Sequence, residues 1–284
     1  MPFPKEISRR TLVKSSIFGF LAVQLTNVSF ARQIITTGPE TFKREANEKY
    51  PAISDDLVSE LVGASHFDYD LVRKIVNKRP ELARATWDWG FGDFESALGA
   101  ASHVARKDIA TYLMMKGARA NIFTFAMLGA YEVVKEMIEF FPGIQKTSGP
   151  HGISLLQHAE NGLRNETGNK RNAEKLMDFL KKLGDADSPR YLSMDEDEKS
   201  KYLGDYMYGK GEKDGFSIQL NMRKLLSLGK LGQFGGALYR LGENSFTYNG
   251  APSVKISFEE EDGKILSLTI EEPDLVLKAV KVNG

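Results

Sequence analysis

A short run that returns further down the chain is the strongest constraint this sequence offers. Gly63-Ala64-Ser65-His66 recurs as Ala100-Ala101-Ser102-His103, an offset of 37 residues (66 to 103). Each copy is followed by a second helical stretch, Leu71 to Val76 and Ile109 to Met114. Self-similarity at such a period marks stacked units, none of which can bury its apolar face alone. From about Asp55 to Asp187 the chain accordingly reads as pairs of short amphipathic helices separated by turn residues.

The best-formed unit runs from Ala97-Leu98-Gly99-Ala100-Ala101-Ser102 through Asp108-Ile109-Ala110 to Leu113-Met114-Met115-Lys116-Gly117-Ala118 and Asn121. Small Ala101 and Ser102 allow close helix approach. Ile109, Ala110, Leu113 and Met114 share one face, and Gly117 suits a left-handed helix end. The unit resembles an ankyrin repeat. Ile122 to Phe141 carries Ala126, Gly129 and Glu132-Val133-Val134 in register, and a fourth unit begins at Gly152-Ile153-Ser154-Leu155. Its second helix, Ala173 to Leu183, follows an insertion around Arg164 to Arg171. Four units exceed the roughly three a continuous core needs, the first and last acting as caps. A helical-hairpin array of the tetratricopeptide type is the alternative.

The period changes after Gly184. Ser193-Met194-Asp195-Glu196 has the form of a capping box, so a short helix is expected from Ser193 to near Tyr202. Beyond it apolar residues alternate: Phe216, Ile218, Leu220 and Met222, then Val254, Ile256 and Phe258, then Leu266, Leu268 and Ile270. Asp262-Gly263 signals a hairpin. Weaker strands fall near Leu203 to Tyr208, Leu225 to Leu228, Ala237 to Leu241, Ser245 to Tyr248 and Val276 to Val282. Tyr202-Leu203-Gly204-Asp205-Tyr206, Leu241-Gly242-Glu243-Asn244-Ser245-Phe246, Lys255-Ile256-Ser257-Phe258 and Gly263-Lys264-Ile265 occur in the order that resembles the lipocalin-like accessory β-domain appended to bacterial serine β-lactamase-like hydrolases. That resemblance implies roles in oligomerisation or substrate access and transfers no catalytic residue. The expected fold is α+β in two domains, an ankyrin-repeat α-solenoid followed by a small antiparallel β-sheet or half-barrel.

The N-terminus reads as an address label. Lys5, Arg9, Arg10 and Lys14 precede an apolar run from Ile17 to Leu25, and Ser29-Phe30-Ala31 offers small residues for cleavage after Ala31. Ser8-Arg9-Arg10-Thr11-Leu12-Val13-Lys14 resembles the bacterial twin-arginine export signal, with Leu12 in place of its usual phenylalanine; an ordinary Sec signal is the alternative. The apolar run is too short for a stable membrane span. The resulting division is 1–31 export signal, 32–54 N-terminal segment, 55–187 repeats, 188–202 linker and short helix, and 203–284 β-domain. A periplasmic or secreted location follows.

Composition limits the chemistry. The chain has no cysteine, so disulfides, thiolate metal sites and cysteine nucleophiles are excluded. Lys plus Arg equals Asp plus Glu, 38 each; without the leader 34 basic residues face 37 acidic ones. A net charge near −3 gives no polyelectrolyte basis for nucleic-acid binding. Gly204 to Gly211 lacks the hydroxyl residue of a phosphate-binding loop, and Ser227-Leu228-Gly229-Lys230 lacks the helix and companion strand of a penicillin-recognising site. Only four histidines are present. His66 and His103 occupy equivalent places in neighbouring units, which in a regular stack lie about 10 Å apart, too far to share one metal. His151 falls in an expected finger and His158 on the next helix; structural roles are expected for all four. No cofactor and no metal is expected.

Both tryptophans lie in Ala85-Thr86-Trp87-Asp88-Trp89-Gly90-Phe91-Gly92-Asp93-Phe94, at the junction of the first and second units. Trp87, Trp89 and Phe91, with His151, are candidate partner contacts, provided the hairpin protrudes rather than folding back over the adjacent unit. The expected function is a non-catalytic module that binds or assembles an envelope protein along the concave face and fingers, with oligomerisation through the β-domain. The alternatives are a site in the β-domain for a small ligand or cell-wall fragment, or an accessory subunit of a hydrolase.

Overall fold

The computed structural model describes residues 52–187, 191–233, 235–249 and 251–282. The leader, with Arg9, Arg10, Lys14 and the cleavage point after Ala31, lies outside them. In the first half α1 (Asp55–Ala64) and α2 (Tyr69–Lys78) precede a short hairpin of β1 (Thr86–Asp88) and β2 (Phe94–Ser96). Then follow α3 (Ala97–His103), α4 (Lys107–Met115), α5 (Ile122–Met127), α6 (Tyr131–Phe140), α7 (Leu155–Arg164) and α8 (Lys170–Leu183). Side-chain caps start several of them. The carboxylate of Asp68 accepts from Leu71 N at 2.9 Å for α2, Ser96 caps α3, Asn121 caps α5, and Ser154 with Gln157 forms a capping box on α7. Gly117 and Gly184, at φ 96° and 76°, follow the ends of α4 and α8, the first as the sequence implies.

This half is not an ankyrin solenoid, and the expected fold class is corrected accordingly. Among the described residues only the junction before α3 carries a β-hairpin. Between α4 and α5 the chain turns directly, and between α6 and α7 it forms 3-10 turns at Ile144–Lys146 and Pro150–Gly152. Helices α1, α3, α5 and α7 pack side by side, while α4 and α6 do not pack closely, so a regular two-layer stack is interrupted. The recurring small residues specify close contact of the inner helices and carry no information about the junctions.

The second half corrects the open half-barrel. Eight strands close completely: β3 (Gly204–Met207), β4 (Gly215–Leu220), β5 (Leu226–Lys230), β6 (Gly236–Gly242), β7 (Ser245–Tyr248), β8 (Ala251–Glu261), β9 (Lys264–Glu272) and β10 (Leu275–Lys281). Neighbours in sequence pair antiparallel, and β10 pairs β9 on one side and β3 on the other, leaving no open sheet edge. Asp262 and Gly263, both at positive φ, make the expected hairpin turn. Tyr202, Tyr206, Phe246 and Phe258 meet edge to face inside, with centroids 4.9–5.8 Å apart. The alternation fails in two places. β4 ends at Leu220, leaving Met222 in solvent, and a register shift at Glu259/Glu260 turns Ile265 inward and Leu266 outward. The short helix is α9 (Glu196–Ser200), capped by Asp195 rather than Ser193.

The residues from Asp55 onward form one compact unit. The β1–β2 hairpin tip meets one end of the barrel, where Phe91 lies edge-on to Tyr248 at 4.7 Å. No helix among the described residues is long and apolar enough to cross a membrane.

Candidate metal centre

Two serines prepare the site. Ser65 Oγ donates to the Leu61 carbonyl at 2.8 Å, and Ser102 Oγ makes the equivalent bond to Leu98 at 2.6 Å. Each is followed by a histidine at a helix end, His66 after α1 and His103 closing α3. Between them β2 delivers Glu95, wholly buried between exposed Phe94 and the capping Ser96. The fourth group, His151, sits in the Pro150–Gly152 turn with a left-handed φ of 59°, a backbone region costly for a side-chain-bearing residue.

Their donor atoms converge. His66 Nε2 lies 3.0 Å from His103 Nε2, and His103 Nε2 lies 3.0 Å from Glu95 Oε1. Glu95 Oε2 is 3.5 Å from His66 Nε2 and 3.4 Å from His151 Nε2. One ligand atom from each of the four residues falls within 4.8 Å of all the others. In tetrahedral zinc coordination with bonds of about 2.0–2.1 Å, ligand atoms stand roughly 3.3–3.4 Å apart. Three imidazoles and one carboxylate, with no thiolate, suit a zinc-class or other first-row divalent ion; calcium would demand more oxygens.

An outer shell orients these ligands. His66 Nδ1 donates to the Gly63 carbonyl at 3.0 Å, and His151 Nδ1 donates to Asp93 Oδ2 at 2.7 Å. Each ring in its neutral form therefore turns an Nε2 lone pair toward the centre. Asp93 Oδ1 also accepts from the His151 backbone N–H at 2.9 Å, and the Asn249 carboxamide, reaching from the barrel, donates to Asp93 Oδ2. Trp89 Nε1 donates to Glu95 Oε2 at 2.7 Å. Glu95 Oε1 is buried and has no hydrogen-bond partner among the described residues, although the His103 ring nitrogen is near it.

The electrostatics follow from this crowding. Burial opposes a charge on Glu95, but the His103 and His151 imidazoles beside it overcome that and hold the carboxyl far below its usual range. Burial also opposes protonation of His151, yet Asp93 and Glu95 raise it to about 9. In His103 burial wins over Glu95 and the ring's pKa is lowered. His158, buried on α7, is pushed down to about 4.

Comparison with protein-family models, with curated proteins and with solved structures finds no match. The chemistry is therefore read from the centre itself.

The structure relocates the sequence candidates. His66 and His103 are not separated by a repeat spacing; their rings turn toward each other and their Nε2 atoms meet. Trp89 is half-buried beside Gly63 and bonded to Glu95, and Phe91 packs against the barrel core, so both belong to a hairpin that folds back. Trp87 lies on β1, partly buried. His151 is a member of the cluster. Glu95 and Asp93 escaped the sequence reading; the signal was their alternation, Asp93-Phe94-Glu95, on a strand ending at a helix cap. Ser227 and Lys230 lie on β5, and Gly204 to Gly211 is strand followed by turn.

Proposed function

We propose that this protein is a metal-binding module that takes one divalent ion of the zinc class through His66, Glu95, His103 and His151. The observation that carries the reading is the set of four donor atoms, one from each residue, within 4.8 Å of one another, beside a buried Glu95 oxygen that has no hydrogen-bond partner among the described residues. Four protein ligands fill a tetrahedral shell, the pattern of metal sites that bind or brace rather than catalyse. The ligands come from four separate segments, so the ion would tie α1, the hairpin, α3 and the 150–152 turn together. We place this role outside the cytoplasm on the strength of the Arg9-Arg10 leader pattern.

The test is titration of chelator-treated full-length protein with Zn²⁺ by calorimetry, and with Co²⁺ by visible absorption. One ion per chain and the intense bands of four-coordinate cobalt are expected, both lost in His103→Ala. Stoichiometric binding that survives in a His66→Ala/His103→Ala double variant, shown folded by circular dichroism, would place the ion elsewhere and overturn the reading.

A further inference from the structure

A pocket of about 440 Å³ lies where the barrel meets the chain that leads into it. Its walls come from α7, residues 191–194, α9, the turn between β4 and β5, and β6. That volume is within the range of small-molecule sites. Residues 191–194 are fixed to the barrel. Leu192 forms an antiparallel bridge with Arg240, its N–H donating to the Arg240 carbonyl at 3.1 Å. The Tyr191 ring stacks on Tyr239 with centroids 4.5 Å apart. Lys224 Nζ lies 3.3 Å from Glu196 Oε1, which joins the β4–β5 turn to the start of α9.

The charge inside this frame is unbalanced. Among the described residues that line it, Lys199, Arg223 and Arg240 are cationic and Asp187 is acidic. Arg240 is matched by Glu198 at 2.8 Å, and Asp187 accepts from Ser154 Oγ at 3.1 Å. With Glu198 counted, the surplus is one positive charge. Neither Lys199 nor Arg223 meets a carboxylate among the described residues. Arg223 is nonetheless held in place. Tyr239 Oη spends its proton on the His151 carbonyl at 3.3 Å, so its oxygen accepts from Arg223 Nη1 at 3.2 Å. The guanidinium is thereby oriented with most of its N–H groups open, and its exposure lets a ligand reach it. Leu192, 55% exposed, and half-buried Met194 and Leu225 supply apolar surface in the same pocket. Oriented, unpaired cations beside reachable apolar surface suit a monoanion carried on an apolar body.

We propose that this pocket binds a small carboxylate with an apolar body, its carboxylate paired with Arg223 and Lys199 and its hydrocarbon lying on Leu192, Met194 and Leu225. None of the four proposed metal ligands lines the pocket, so the site stands or falls without the metal reading.

The test is calorimetric titration of chelator-treated full-length protein with octanoate and with three probes that each change one feature. Octanamide lacks the charge, acetate lacks the apolar body, and octyltrimethylammonium reverses the charge. Octanoate should bind saturably at one site per chain, about tenfold or more tightly than any of the three. Arg223→Gln, at an exposed position that leaves folding intact, should weaken octanoate about tenfold, the equivalent of one charge-assisted hydrogen bond. Lys199→Gln and Leu192→Ser should each weaken it several-fold. Lys210→Gln removes the same charge at the other end of β4 and should change nothing. Octanoate that fails to saturate, or that binds no more tightly than octanamide or acetate, would overturn the proposal. So would an affinity that Arg223→Gln and Lys199→Gln, shown folded by circular dichroism, leave unchanged, or that Lys210→Gln lowers equally.

Discussion

Inside the barrel the buried side chains are Tyr206, Phe246, Ile218, Ile256 and Leu268, joined by a few short polar groups such as Ser217 and Ser267. In the helical half Leu61, Ile109 and Leu113 share the interior with Glu95, His103, His158, Ser65 and Ser102. The barrel satisfies its backbone through a closed ladder and shows no buried carboxylate or imidazole among its described residues. The helical half leaves a carboxylate oxygen and an imidazole nitrogen buried without hydrogen bonds. Unsatisfied buried polarity is unfavourable in an otherwise stable fold. Its concentration in one half marks that half as the place where metal binding is to be sought.

The largest effect that tests this contrast lies in the barrel. Phe246→Ala removes a wholly buried ring and should cost about 3–5 kcal/mol in urea unfolding, with zinc affinity unchanged within about twofold. A tenfold loss of affinity would show that the two cores are not separable. Saturating zinc comes next. At free zinc about 1,000 times the dissociation constant the wild type should gain about 4 kcal/mol, and His103→Ala should gain nothing comparable. Equal stabilisation of both would remove the helical core from the account.

Asp93→Asn is a subtler probe, because it keeps the shape and removes the charge behind His151. Zinc affinity should fall about 10–100-fold, as for other outer-shell carboxylates, with the ligand count still one. The smallest expected effect is on pH. His158 titrates at about 4 in the folded protein against about 6.5 when unfolded. Its contribution is fully present above pH 6.5 and is lost as pH falls toward 4, on the order of 1–2 kcal/mol between pH 7 and 5. His151 runs the other way: raised to about 9, it favours the metal-free fold below pH 6.5 and loses that contribution as pH rises through 9. Stability of chelated protein measured from pH 5 to 9 should show both limbs, and His158→Phe should lack the acid one. An unchanged acid limb in that variant would assign it to other groups.

The barrel was the more legible half in sequence. Period-two alternation located its strands, and Asp262-Gly263 fixed one turn, because local backbone preference and side-chain facing agree there. Closure was not legible, since it depends on β10 meeting β3 across the chain. Nor was the shift at Glu259/Glu260, where one extra residue reverses which of Ile265 and Leu266 is inside. In the helical half the recurring Ala-Ser-His runs were visible, but a regular spacing imposed on them hid the result. Side-chain direction decided the matter: two imidazoles facing each other close a gap that backbone spacing alone leaves open. Glu95 was obscured by its aromatic neighbours, which looked more informative than the carboxylate between them.

The bond from Asn249 to Asp93 joins residues 156 positions apart, and it sets an order on the birth of the protein. His66, Glu95, His103 and His151 all leave the ribosome well before the segment between β7 and β8 exists. A growing chain therefore presents its imidazoles without the carboxamide that braces Asp93, and closing so long a loop waits on the last strands. The brace behind His151 is complete only when synthesis is nearly finished. On the proposed reading, it is then the finished protein, rather than the nascent chain, that chooses its metal, from whatever ions surround it at the moment the barrel closes.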